Sequence, residues 1–582
     1  MVRLKLKPKE KKQAVEYPKF QIKEAKGLIV IPPVSDITKV DIKYPLIEPF
    51  AFARILWEPN GKKLVYTIME PEMSDDDKGI LRKIEDALME VIDVKLSNIK
   101  NREEAVQYIQ SKTNSVLGDM NLVLPSERYM KIMYYLVRDF VGLNEIEPLM
   151  YDPYIEDIGC SGVNTPVYVV HKKFGSLETS LVYSDPEKLS NFVIKISERC
   201  GRYISYATPL LDGSLPDGSR VQASLAKDVT TKGPTFSIRK FRKNPFSPID
   251  IINLKTASAD MMAYLWLLIQ HNVSIMICGG VSTGKTSFLN VLSMFIPMEE
   301  KVISIEDTRE INLPHENWIP SVSRSGFGIQ DVTGKKYGEV DLFDLLKESF
   351  RQNPDYVVVG EIRGKEAYVM FQGMASGHAS MGTIHAGSVE DVMKRLQTPP
   401  IELSPSLIES LDIMIVMTNA REKGKSARRV KEICEIQSVD SHTGIAHTKK
   451  IFTWIPSEDI FKEELSESVL IQKISFEEGV PLQKMVSELR DRKSVLLWMQ
   501  RQNIVQFEDV CYVINLYYKD KPAVMSWVRK NTNPFKKEVL PEKPKASEKR
   551  KVRQKESKRE RKQKRVSKEL EEIEEILKSA KR

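Results

Sequence analysis

The sequence predicts an α/β fold: a mostly parallel sheet domain over residues 257–440, preceded by α+β segments and followed by a helical region. Three observations predict it. Between about Ile249 and Asp440, short β-branched runs such as Ser274–Cys278, Val302–Glu306 and Tyr356–Gly360 alternate with helical patterns, the rhythm of parallel strands joined by crossover helices. Upstream, helical spacings of three and four mix with isolated apolar runs without that rhythm. The composition, 41% apolar, 8% aromatic and 29% charged over 582 residues, is that of a folded chain with room for about four domains.

Taken in order, residues 1–45 read as an arm in which Lys and Arg alternate with apolar residues until Pro32, Pro33 and Pro45 deny regular helix. Residues 46–124 read as an α+β subdomain whose helix carries Ile80, Leu81, Ile84, Leu88 and Met89. A second α+β subdomain, 125–243, has a helix through Tyr134, Val137 and Phe140, strands at Val167–Val170 and Phe236–Ile238, and a turn run over Asp212–Ser219. Pro245 and Pro248 mark a linker over 244–256. After the sheet domain come a helical region, 441–535, and a basic tail, 536–582, too poor in apolar residues to fold alone.

The net charge of +8 resides in that tail: residues 541–582 hold 17 Lys and Arg against 9 Asp and Glu, leaving 71 of each sign in the first 540. The five cysteines are far apart and form no CxxC pair, which fits a reducing compartment and gives zinc no clip. Met261–Ile269 and Val273–Cys278, the most apolar windows, are separated by Gln270 and His271, short of the ~20 residues that cross a bilayer. The basic start, Met1–Lys12, leads into no apolar core of a secretory signal. A soluble, cytoplasmic chain is expected.

Directly after the first buried strand, Gly279-Gly280-Val281-Ser282-Thr283-Gly284-Lys285-Thr286 fits G-x-x-x-x-G-K-[ST]. Glycines at 279 and 284 allow positive φ, so that successive amides face inward around the phosphates of a nucleoside triphosphate. Lys285 adds a mobile charge, the Thr286 hydroxyl is a magnesium ligand, and the following helix, with Ser287 in its first turn, offers its positive end. Two further strands end in acids: Glu306 and Asp307 after Val302–Ile305, and Glu361 after Tyr356–Gly360. In a doubly wound sheet these tips share an edge with the glycine loop, where carboxylates orient water and hold magnesium; a single acid there serves equally well as a helix cap. His378 and His385, among small residues, are candidates for a γ-phosphate contact or for plain structural roles.

Gly279–Thr286, Ile303–Glu310, Arg351–Arg363 and Gly377–Ala386 resemble, in order and spacing, the Walker A, Asp-box, Walker B and His-box segments of secretion ATPases of the type II/type IV pilus superfamily. Leu313–Trp318 and Phe343–Leu346 look like its archaeal branch, which includes pilus-assembly and archaellum motor ATPases. The resemblance covers roughly residues 46–440 and implies a RecA-like P-loop motor domain, a homo-hexameric ring, and ATP bound between N-terminal and motor domains. It also implies that Arg220 and Arg239, which match the family's N-terminal arginines, close on the phosphates, as a planar guanidinium suits. The family's tetracysteine zinc insert is absent from this sequence, so zinc is not expected.

The resulting expectation is a magnesium-dependent ATPase. Glu306 activates water and Glu361 serves the magnesium and water shell, with the two able to trade roles. Thr286 and Glu361 hold the metal, Arg220 and Arg239 close the site, and His385 senses the γ-phosphate. Its work is assembly or rotation of a pilin-like filament, or related secretion, at the inner face of the cell membrane, with a polytopic platform protein and pilin-like subunits as partners. An archaellum motor, a nucleic-acid motor and a non-hydrolysing scaffold are the rivals. The basic tail is suited to anionic lipid or nucleic acid, or is simply solvated.

Overall fold

The computed structural model describes residues 17–24, 31, 34, 36–93, 101–225, 227–241, 245–324, 326–330, 335–422 and 425–535. The tail and most of the arm lie outside them. The chain divides into two compact units, Met1–Pro245 with Ile269–Leu470, and Phe246–Leu268 with Ile471–Arg582.

In the first unit, the N-terminal part builds a sheet of ten strands among the described residues. They are β1 (Lys23–Glu24), β2 (Asp41–Glu48), β3 (Ala51–Glu58), β4 (Lys63–Met69), β5 (Ile155–Cys160), β6 (Pro166–His171), β7 (Gly175–Val182), β8 (Leu210–Ser214), β9 (Arg220–Ser224) and β10 (Thr235–Arg239). Their order is β1-β2-β3-β4-β7-β6-β5-β10-β9-β8. The two α+β segments read from sequence therefore share one sheet. They join where β4 runs parallel to β7 through Val65↔Glu178 and Tyr66↔Thr179, a seam that also carries the Lys63–Glu178 ion pair at 2.6 Å. Joining the two strand sets removes an open edge from each, and one core runs from Phe20 to Ile238. Part of the expected arm belongs to this core. Phe20 is buried, its amide donates to Gln110 Oε1 at 3.1 Å, and Tyr17 stacks on Tyr129 at 4.1 Å. Asp212–Ser214, expected within a turn, forms the end of β8, and the reversal tightens to the following residues, where Gly218 N donates to Leu215 O at 2.8 Å.

The motor part of the same unit contributes β11 (Ile275–Gly279), β12 (Val302–Glu306), β13 (Trp318–Val322), β14 (Phe327–Gln330), β15 (Lys336–Tyr337), β16 (Tyr356–Ile362), β17 (Ala379–His385), β18 (Ile413–Glu422), β19 (Lys425–Val439), β20 (Ala446–Ile455) and β21 (Ile460–Glu463). Nine of these form a sheet in the order β13-β12-β16-β17-β11-β18-β19-β20-β21, while β14 and β15 form a separate hairpin. Pairing is parallel from β13 to β18 and antiparallel beyond. Strand β17 separates β11 from β16, an arrangement in keeping with the RecA-like domain that the sequence resemblance implies. Strands β11, β12 and the first part of β16 are buried throughout, as strands covered on both faces must be. Residues 446–463, expected to be helical, extend this sheet instead. Ile451 and Phe452 are buried within a β-branched and aromatic run, and α-helix begins only at Val469, after one 3-10 turn at Leu465–Glu467.

The second unit is helical among its described residues. Pro248–Asn253, inside the expected linker, is a helix: Ser247 and Asp250 form a reciprocal capping box and Pro248 takes the first helical position, where its missing N–H costs nothing. Trp266, fully buried, donates Nε1–H to the Tyr518 hydroxyl at 2.8 Å and lies 5.0 Å from the Tyr517 ring. Residues up to 268, read from sequence as the start of the sheet domain, thus share a compact unit with the C-terminal helices.

Candidate functional site

The site is built at the carboxyl edge of the parallel sheet. Strand β11 ends at Gly279, paired in register with His385 on one side and Met417 on the other. A Cβ on Gly279 would lie 2.6 Å from Thr283 Oγ1 and 2.7 Å from the Met417 carbonyl, so no side chain fits. The loop then passes through Ser282 (φ +59°) and Gly284 (φ +88°) into the helix Lys285–Ser293, whose N-terminus has no side-chain cap. Uncapped amides at that end leave partial positive charge for an anion.

Lys285 is buried, and its Nζ donates to the carbonyls of Gly279 (3.1 Å) and Gly280 (2.9 Å) and lies 3.4 Å from His385 Nδ1. Burial lowers its pKa, while the negative charge of Glu361 opposes that shift. His385 Nε2 lies 3.0 Å from Glu361 Oε1, and burial, then the Lys285 charge, lower the imidazole's pKa. Glu361 sits at a register shift in β16 between Val359 and Ile362, which re-aims the strand end beside β17. Its other oxygen is held by Arg363, whose Nη1 is 3.4 Å from Asp307 Oδ2. A line of polar contacts therefore runs from Lys285 through His385 to Glu361, Arg363 and Asp307, whose charges alternate in sign.

Glu306 occupies a different setting from its neighbour Asp307. It is 2% exposed, its Oε1 accepts from the amides of Glu310 and Ile311 at 2.9 Å each, and its Oε2 is buried without a hydrogen-bond partner. Burial raises its pKa to about 7. Gly360 leaves room for it, since a Cβ there would stand 3.1 Å from Glu306 Cγ.

The structure brings Lys285, His385 and Glu361 into contact, with Glu306 on the adjoining strand. Arg220 and Arg239 face each other across β9 and β10, where their charges are met by carboxylates and not by the glycine loop. Arg220 Nη2 is 3.2 Å from Asp212 Oδ2, and Arg239 Nη1 is 3.9 Å from Glu310 Oε1. His378 takes no part in the Lys285 cluster; its ring packs edge-on against Phe350 at 5.3 Å. Sequence reasoning gave Asp307 only a share in the common task of the strand-end acids and gave Arg363 no role, although both lie inside recognised motifs. It missed Asn419 and Arg428, which reach the glycine loop from β18 and β19 and carry no motif of their own.

The residues fit a nucleoside triphosphate and magnesium: glycines at positions a Cβ would fill or strain, a lysine aimed into the loop, and oxygen donors on Thr286 and Glu361. Among the described residues no group of three or more His, Cys, Asp or Glu forms a metal cage, so magnesium here would share its coordination with phosphate oxygens, as that ion commonly does.

The family described as "Type II/IV secretion system protein" matches residues 180–451. The protein MJ0900 of Methanocaldococcus jannaschii is 33% identical over 517 residues, 86% of this chain and 90% of that one. The type IV secretion system protein PtlH of Bordetella pertussis is 30% identical over 262 residues, 40% of this chain and 75% of its own length. Among solved structures, the VirB11 ATPase of the Brucella suis type IV secretion system is 23% identical, covering 50% of this chain and 92% of its own, at a TM-score of 0.25. On its ordered motifs and on identity spanning most of these two relatives, the chain belongs to the type II/IV secretion system protein family.

Proposed function

We propose that this protein is a magnesium-dependent ATPase that powers assembly or rotation of a type IV pilus-like filament, or type II-like secretion, at the cytoplasmic face of the membrane. The observation that carries the reading is the Lys285–His385–Glu361 line closing on a glycine loop at the carboxyl edge of a parallel sheet. Family membership supplies the secretion context. No described helix is long and apolar enough to cross a membrane, so membrane work calls for docking to a polytopic platform protein that handles pilin-like subunits.

In this reading the loop amides and Lys285 bind the β- and γ-phosphates, and Lys285 leaves its own loop carbonyls to do so. Thr286 and Glu361 would hold magnesium, which when bound neutralises charge on the phosphate oxygens. Glu306, with a pKa near the working pH, orients and deprotonates the attacking water, a role it could exchange with Glu361. His385, hydrogen-bonded between Lys285 and Glu361, reports the γ-phosphate through whichever of them moves. Arg220 and Arg239 supply positive charge when domains close in a homo-hexamer. No specific observation favours an archaellum motor or a nucleic-acid motor, and the basic tail lies outside the described residues.

Phosphate release by Lys285→Ala tests the reading. Turnover should vanish while the melting temperature stays close to that of the parent; full ATPase activity in a folded variant overturns the assignment.

A further inference from the structure

Two carbonyls of the glycine loop, those of Val281 and Ser282, accept from side chains of a distant strand pair, while Lys285 takes those of Gly279 and Gly280. Strand β18 continues to Glu422 beyond its last pair with β11, Gly279↔Met417, and it breaks register with β19 at that point. The exposed loop is met there: Asn419 Nδ2 donates to Val281 O at 3.4 Å and Arg428 Nε donates to Ser282 O at 3.1 Å. Arg428 Cδ also lies 3.1 Å from where a Cβ of Gly284 would stand. Arg428 thus touches both loop residues that hold positive φ, Ser282 at +59° and Gly284 at +88°. Left-handed backbone at a non-glycine residue persists only where its surroundings hold it.

Arg428 is itself held in place. Its carbonyl accepts from Arg429 Nη1 at 3.0 Å, and Arg429, 1% exposed, forms a two-pronged pair with Asp459 at 2.8 and 2.9 Å. Trp454 Nε1 donates to the same carboxylate at 3.0 Å. A rigid chain of contacts therefore runs from the β20–β21 turn to the outer side of the glycine loop.

We propose that Arg428 is a positioning residue for nucleotide binding: it fixes Ser282 and Gly284 in the left-handed geometry that turns the loop amides inward, and Asp459 acts through Arg429 to hold it there. The inference rests on the glycine loop being the nucleotide site. Its action is on affinity, because the loop shape is needed equally by bound ATP and bound ADP, while the groups that meet the reacting water are elsewhere.

The test compares Arg428→Met, which keeps the stem but loses the donor, with Arg428→Lys, which keeps both a stem and a charged donor. Binding of mant-ADP to the full-length protein should weaken about tenfold in the Met variant, the worth of one charged hydrogen bond. The Lys variant should recover most of that loss, KM for ATP should rise with little change in kcat, and amide exchange at 280–284 should quicken in the Met variant alone. Wild-type affinity in Arg428→Met overturns the proposal, as does an equal loss in both variants with a lowered melting temperature. If Lys285→Ala remains fully active, the nucleotide assignment itself has failed; if Lys285→Ala is dead and Arg428→Met binds normally, only the positioning role has.

Discussion

At the scale of single residues, Glu306 shows how a strand tip sets chemistry. Its carboxyl is buried, two backbone amides satisfy one oxygen, and the other has no partner, so desolvation outweighs the amides and the pKa rises from 4.5 to about 7. The folded-state value lies above the ordinary one, so folding takes up a proton between them. The stabilisation this gives is complete below the ordinary value and is lost as pH climbs through about 7. Glu306→Gln keeps an acceptor for the amides of Glu310 and Ile311 and carries no charge. Its melting temperature should therefore fall less steeply than the parent's between about pH 5 and 8, and parallel curves in a thermal melt series would contradict the burial account. Gly279 is the second decisive residue. Gly279→Ala places a methyl group against Thr283 Oγ1 and the Met417 carbonyl, so nucleotide binding should be lost in a titration with mant-ADP.

At the scale of elements, the helix Leu342–Arg351 starts at Asp341, whose carboxylate accepts from Asp344 N in a capping box. It then packs Phe350 against the helix Glu366–Ala375 at Gly373. Alanine is ordinarily preferred to glycine inside a helix by about 1 kcal/mol. Here a Cβ would fall 2.0 Å from Phe350 Cζ, and the ring also packs edge-on against His378. Overpacking should win, costing about 1–3 kcal/mol in denaturant unfolding. Adding Phe350→Leu should return part of that loss; a Gly373→Ala variant as stable as the parent would show that the ring moves freely. The same contact explains a glycine that the sequence pattern left unaccounted for, inside a helix and far from the phosphate loop.

At the scale of the whole molecule, Arg220 and Arg239 are paired with Asp212 and Glu310 in the single chain, so their proposed role at the phosphates depends on assembly. Neutral substitutions, Arg220→Gln or Arg239→Gln, should lower kcat by roughly 100-fold or more while leaving mant-ADP affinity near that of the parent, as expected for charge supplied to a transition state. Activity should also rise with protein concentration as rings form, which sedimentation with Mg-ATP can follow; full activity from isolated monomers would exclude a shared site.

The sequence by itself determined what local chemistry encodes: the strand, glycine loop and helix that hold Lys285 and Thr286, the acids at the ends of β12 and β16, and the alternation that makes the motor sheet parallel. These were legible because each depends on residues close in the chain, where spacing and residue type fix backbone geometry. Helix capping was less so: Pro248, read as a breaker, starts a helix because position decides what proline does. The shared N-terminal sheet, the strands over 446–463 and the pairing of residues 246–268 with the C-terminal helices were decided by tertiary structure. So were the line from Lys285 to Asp307 and the reach of Arg428 to Ser282. All of these join residues far apart in the chain, and which apolar faces and charges meet across such distances is set by how the whole core packs, a global competition that leaves no mark of fixed spacing.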